Sequence, residues 1–172
     1  FGADLCMAHL HRAKLARCDL RGACLRGADL SGASLVEADM REGMLAVQDE
    51  DGDVTTLRLR PAAVDLVSTK LVGADLSKAS LAGGGAVQVD LTDAVLRGAD
   101  LTRVDLRNAN LTGADLSGAD LTRVDLTGAS LQGAVLTSVE WNGARLQGAD
   151  LVGAVLDAAA RIAAGTGAPV RI

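Results

Sequence analysis

Three cysteines, two histidines and one acid-rich run are the residues of this 172-residue chain whose types could support chemistry. Cys6, Cys18 and Cys24 form no CxxC pair, show no zinc spacing and are odd in number. They read as free thiols in a reducing compartment, with no structural metal implied. His9 and His11 flank Leu10 and could share a face, but no Ser/His/Asp or Cys/His arrangement accompanies them, so they read as surface residues. The string Asp49-x-Asp51-Gly52-Asp53 has the opening of a calcium loop but lacks the later ligands and the closing Glu, which leaves a solvated turn. No catalytic residue, metal site or cofactor is therefore expected, and the chain does not read as an enzyme.

The elements that would position any such residues must be built almost without rings. The chain holds one Phe, one Trp and no Tyr, against 49% apolar residues and 20 Gly. Its length suits one domain, whose interior would be a repetitive lattice of Leu, Ala and Val. Lys+Arg 17 against Asp+Glu 22 gives a formal net charge of -5, so direct nucleic-acid binding driven by overall charge is not expected. No run approaches the ~20 apolar residues of a membrane helix, and no signal peptide is seen at the start. A cytoplasmic protein is expected, and because it begins within a repeat without Met, a trimmed chain or a piece of a longer one.

The lattice has a period of five. Central positions run from Leu5 to Leu45 and resume, one residue out of phase, from Leu66 to Leu156; 25 of these 28 are Leu, with Met40, Ala86 and Trp141 as exceptions. Two residues before each centre stands a small residue, usually Ala. One large and one small apolar position per five residues fits neither a helix nor a flat strand, but does fit a chain that turns a corner every unit. Four units would close one turn, placing residues 20 apart above one another, and "TRVDL" at 102–106 recurs at 122–126. Parallel-sheet hydrogen bonds would hold such turns ~4.8 Å apart. Leu76, Leu96, Leu116 and Leu136 would then stack in the interior, and Trp141 would plug the last coils.

The string "GADLSGADL" at 113–121 resembles the pentapeptide repeat family, whose unit is A(D/N)LXX. The resemblance covers about 140 of the 172 residues and implies an all-β fold, a right-handed quadrilateral parallel β-helix. It also implies that a homodimer through the C-terminal region is plausible, and it extends to the fluoroquinolone-resistance members, which occupy the DNA-binding saddle of DNA gyrase or topoisomerase IV. The lack of Phe at central positions departs from those members.

The expected organisation is a single domain over 1–172, with N-terminal coils at 1–45, an interruption at 46–65, main coils at 66–156 and a C-terminal cap at 157–172. The interruption reads as a protruding hairpin or an irregular coil with a Pro61 stop. In "AGGGAVQVD" at 82–90, three glycines are expected to weaken packing. A short helix opening at Asp157 and stopping at Gly165 would cover the open end with Ile162.

A non-catalytic protein-interaction or scaffold domain is the first functional expectation. The alternative is a DNA mimic that binds DNA gyrase or topoisomerase IV and protects it from fluoroquinolones. Candidate partner-binding residues are Asp49, Glu50, Asp51, Asp53, Arg58 and Arg60 in the loop, and Asp100, Asp105, Asp120, Asp125 and Glu140 on the rod. Asp19, Asp39, Asp100, Asp120 and Glu140 should form one column, with Asp65, Asp105 and Asp125 on the adjacent side. Interleaved arginines dilute these columns. A basic segment at 9–26 and a stripe of Val95, Val135 and Val155 are further surfaces.

Overall fold

The computed structural model describes residues 2–41, 43–47, 58–62 and 64–158. Parallel bridges join Asp4 to Cys24, His9 to Asp29, Lys14 to Ser34 and Asp19 to Asp39, and the same 20-residue step recurs from Asp65 onward. The chain thus returns over itself every four units. Each return is hydrogen bonded: the central Leu101 N–H donates to Asp120 O at 2.9 Å, and the Asp120 N–H donates to Ala99 O at 3.0 Å. Within the unit, the small residue's N–H closes a turn onto the preceding centre, as from Val104 to Leu101 O at 3.1 Å.

The corner lies two residues after each centre. Every positive-φ residue among those described occupies that position, from Met7 (φ 60) and Arg12 (φ 56) to Gly153 (φ 72), and twelve of them are not glycine. The left-handed conformation is costly for most side chains, so its repetition is paid back elsewhere, by the backbone ladders and the interior. Leu25, Leu30, Leu76, Leu96, Leu116 and Leu136 are fully buried, as are Ala28, Ala74 and Ala114. Trp141 is half-buried against this core, and its indole nitrogen is buried without a hydrogen-bond partner among the described residues. Leu5, Leu10 and Leu15 are only partly buried.

The interruption differs from the count of central positions. Cys24 bridges Asp65 and Asp39 bridges Ser80, 41 residues apart rather than 20. The excess is looped out between neighbouring coils. Within it, β1 (Gly43–Val47) pairs antiparallel with β2 (Arg58–Ala62). Leu45, counted as a centre from its spacing, instead pairs with Arg60 in this ribbon. Pro61 pairs with Met44 inside β2 and is not a stop. Asp65 is already back in the stack. The only other strands among the described residues are β3 (Val135–Leu136) and β4 (Val155–Leu156), paired in parallel in the last coils.

Gly84 has a definite packing role. A Cβ there would lie 2.9 Å from Leu81 O and 3.0 Å from Val64 Cγ1; with Val64 below, the glycine makes room for a β-branched neighbour. The helix expected from Asp157 falls almost wholly outside the described residues. Among the described residues no helix is long and apolar enough to cross a membrane.

Candidate interaction surface

Alternation about each buried centre points the residues immediately before and after it outward on one side. Successive coils align those positions into four columns. One runs Asp19, Asp39, Ser80, Asp100, Asp120, Glu140; the next runs Asp4, Cys24, Asp65, Gly85, Asp105, Asp125, Arg145. The third is His9, Asp29, Lys70, Asp90, Asn110, Ser130, Asp150, and the fourth is Lys14, Ser34, Asp75, Val95, Asp115, Val135, Val155.

The aspartates have a structural task that their composition does not reveal. All thirteen at the position before a centre accept the backbone N–H two residues on, and Asn110 does the same for Thr112 at 3.2 Å. These are Asx turns. They satisfy the one N–H of each unit that neither the inter-coil ladder nor the five-residue turn employs, so the surplus acid is largely a backbone requirement.

Ion pairs consume more of the charge. Arg21, Arg41 and Arg107 each fold back on the aspartate two residues earlier, with Nη2 2.7 Å from Asp19, Asp39 and Asp105. Other pairs reach the neighbouring coil: Arg97 to Asp115 at 2.5 Å and Arg26 to Asp65 at 2.7 Å on the diagonal, and Arg17 to Glu37, 20 residues apart in register, at 2.8 Å. The guanidinium hydrogen bonds hold Asp19, Asp39, Asp105 and Glu37 below the usual carboxylate range. Asp29 is lowered chiefly by the Ser31 hydroxyl. At Asp115, burial opposes ionisation but is outweighed by bonds from Ser117 and Arg97.

The candidate residues separate accordingly. Asp105 is paired with Arg107, and Asp125 lies 3.7 Å from Arg145. Asp100, Asp120 and Glu140 stand in one column and form no ion pair among the described residues; Asp100 accepts the Ser80 and Thr102 hydroxyls. Asp49, Glu50, Asp51 and Asp53 lie outside the described residues, while Arg58 and Arg60 lie in β2 opposite Val47 and Leu45. In the basic segment Arg17, Arg21 and Arg26 are neutralised. The valine stripe is broken by Asp115, and its exposed part is Val155 (52%), close to Val152 (50%).

The cysteine reading requires correction. Cys6 and Cys24 are joined in a disulfide with a Cα–Cα distance of 5.4 Å, and only Cys18 is free. The residue after a centre lies beside the residue before a centre in the next coil, 18 positions on. Arg97–Asp115 and Gln132–Asp150 follow the same rule. A cysteine at each end of that diagonal was the available signal, visible only once the chain is set in register. Asp4 lies with both sulfurs inside 4.8 Å, but sulfurs bonded to one another are not a metal donor set. The cysteines no longer argue for a reducing compartment.

Comparison with known proteins places this geometry. The family described as "Pentapeptide repeats" matches in eight copies over residues 2–32, 62–98, 90–128 and 129–159. Among solved structures, HetL, a pentapeptide repeat protein involved in heterocyst differentiation regulation from the cyanobacterium Nostoc sp. strain PCC 7120, is 34% identical over 91% of this chain, with a TM-score of 0.40. The chain spans 60% of HetL's length. Rfr23 from the cyanobacterium Cyanothece 51142 is 28% identical, with 76% of this chain and 84% of that one covered and a TM-score of 0.58. Trypsin-treated QnrB1, a plasmid-mediated fluoroquinolone resistance protein, shares the fold at 20% identity and a TM-score of 0.51, over 89% of this chain and 71% of its own. No curated protein matches. The chain belongs to the pentapeptide repeat family.

Proposed function

We infer that this chain is a rigid interaction domain that presents ordered columns of side chains to another protein. The observation that carries the reading is the register: outward residues repeat coil by coil while every described aspartate of the repeat is fixed by the N–H two residues on. A surface ordered before binding loses little side-chain entropy when a partner docks. Pentapeptide repeat proteins are generally non-catalytic scaffold or binding proteins, and this chain is not an enzyme. The reading takes 1–172 as one domain, the stack as a right-handed quadrilateral β-helix and 157–172 as its cap. Exposed Val152 and Val155 support a homodimer through the C-terminal region, which light scattering over a concentration series would detect.

The test is capture of a partner by the wild-type chain and by the triple variant D100K/D120K/E140K at equal thermal stability. Loss of a discrete partner in the variant supports binding through that column. Equal capture by charge-reversed variants of all four columns would remove the reading.

A second reading has its own observation in its favour. Asp19, Asp39, Asp100, Asp120 and Glu140 share one column, as a DNA mimic that binds DNA gyrase or topoisomerase IV would require. Arg21 and Arg41 neutralise its lower part, and the likeness to QnrB1 speaks for the fold alone. A supercoiling assay with gyrase, with and without a fluoroquinolone, decides it: inhibition or protection at micromolar protein supports mimicry, and no effect leaves the interaction domain without that partner.

A further inference from the structure

We propose that Asp4, Cys6 and Cys24 bind a soft divalent cation when the Cys6–Cys24 bond is reduced, so that disulfide and metal complex are alternative states of one pair of thiols. A carboxylate oxygen of Asp4 and the two sulfurs all lie within 4.8 Å of one another. Asp4 and Cys6 flank the centre Leu5, and Cys24 precedes the centre Leu25. All three therefore stand at outward positions on the side of the stack.

The backbone holds this arrangement independently of the S–S bond. Asp4 and Cys24 are partners in a parallel bridge; the Cys24 N–H donates to Ala3 O at 3.0 Å and the Leu5 N–H to Cys24 O at 2.8 Å. Beyond Cys6, the Met7 N–H donates to Arg26 O at 2.9 Å, and Cys24 is fixed on its other side by the Leu25 N–H to Asp65 O at 2.8 Å and the Asp65 N–H to Ala23 O at 3.0 Å. A tetrahedral ion with metal–sulfur distances of about 2.3 Å sets two sulfurs about 3.8 Å apart. Side-chain rotation alone reaches that spacing over Cα atoms 5.4 Å apart, so opening the bond makes room for an ion without moving the ladder.

The donors are two sulfurs and one oxygen. Asp4 Oδ1 accepts the Cys6 N–H at 3.1 Å, an outer bond that holds the carboxylate beside the pair. Asp65, next in the column, is already engaged: Oδ1 accepts the Val67 N–H at 3.1 Å and Oδ2 the Arg26 guanidinium at 2.7 Å. Water completes the tetrahedron. Two thiolates select Zn²⁺ or Cd²⁺ over Mg²⁺ and Ca²⁺.

The reductant is a dithiol. Its thiolate attacks one sulfur of the pair to form a mixed disulfide, its second thiol displaces the protein sulfur, and it leaves as its cyclic disulfide, its two electrons and two protons passing to Cys6 and Cys24. The cation then displaces those two protons and takes both thiolates together with the Asp4 carboxylate.

The test uses the full chain, reduced with dithiothreitol and freed of the reagent without oxygen, with three free thiols counted at the start. Cd²⁺ is titrated alone and followed by equilibrium dialysis and by thiolate-to-metal charge-transfer absorption. One Cd²⁺ per chain is expected, displaced by Zn²⁺ and indifferent to excess Mg²⁺; the oxidised chain, with only Cys18 free, should bind none. C6S and C24S should lose the one-to-one complex and C18S should match wild type. D4N, which keeps the turn as Asn110 does for Thr112, should weaken binding about tenfold or more. All variants are compared at an unchanged thermal melt. No Cd²⁺ on the reduced chain, equal binding by the oxidised chain, binding unchanged in C6S, C24S or D4N, or binding lost in C18S would overturn the proposal.

Discussion

Asp105 receives three hydrogen bonds from Arg107: the backbone N–H at 3.2 Å and Nε at 2.8 Å reach Oδ1, and Nη2 at 2.7 Å reaches Oδ2. Leu106 between them points inward and is 1% exposed. The aspartate therefore caps a turn and the arginine neutralises the cap, within a three-residue span repeated at Asp19–Arg21 and Asp39–Arg41. Among the described residues three ion pairs lie within a unit in this way and five join neighbouring coils, which is why the net acidity of the surface conveys so little about binding.

The capping role is separable from charge at Asp120, which accepts the Thr122 N–H at 2.8 Å. Asp120→Ala is expected to cost about 1 kcal/mol, as for a lost cap, and Asp120→Asn a fraction of that. Chemical denaturation measures both; equal losses would show that charge, not capping, matters there.

Interior substitutions should be far more severe. Leu116 is 0% exposed, so Leu116→Ala is expected to cost about 2–5 kcal/mol. Leu116→Asp should abolish the cooperative thermal transition, because a carboxylate would be buried unpaired. An unchanged melt for Leu116→Asp would contradict the inward placement.

At Gly84 the expectation concerns space. Gly84→Ala sets a Cβ 3.0 Å from Val64 Cγ1 and should destabilise by about 1–3 kcal/mol. Adding Val64→Ala relieves that contact but not the approach to Leu81 O at 2.9 Å, so partial recovery is expected in a double-mutant cycle. Strict additivity would mean that the two sites do not touch.

Acid should weaken the stack. Asp29, Asp39, Asp105 and Asp115 are lowered from 3.8 and Glu37 from 4.5. Groups held below their unfolded values contribute stability fully present above those values and lost as pH falls through the folded ones. The denaturation midpoint should therefore be level from about pH 7 to 5 and decline below about pH 4. A midpoint that rises on acidification would contradict the hydrogen-bonded carboxylates.

The parts of this fold that follow a strict period were legible in the chain. Leu101 and Leu121, and Val104 and Val124, recur at 20 because the interior is the same at every coil. Leu45 misled because it continues the five-residue spacing by coincidence, and a ribbon strand can carry a leucine there as readily as a coil can. The Cys6–Cys24 bond escaped because its partners are neighbours only on the diagonal between coils, a relation with no local motif. The aspartate columns were visible as columns, but their use by the backbone was not: it depends on which N–H each unit leaves over.

The most direct test of the interaction reading is a photo-crosslinking scan in the source cell. A photoreactive residue would be placed in turn at Asp100 and Asp120, Asp105 and Asp125, Asp90 and Asn110, and Asp75 and Val95, so that each of the four columns is sampled at two adjacent positions. A discrete protein adduct from adjacent positions of one column, absent from the others, is the expected result. No adduct from any column, in a protein whose melt is unchanged, would contradict it.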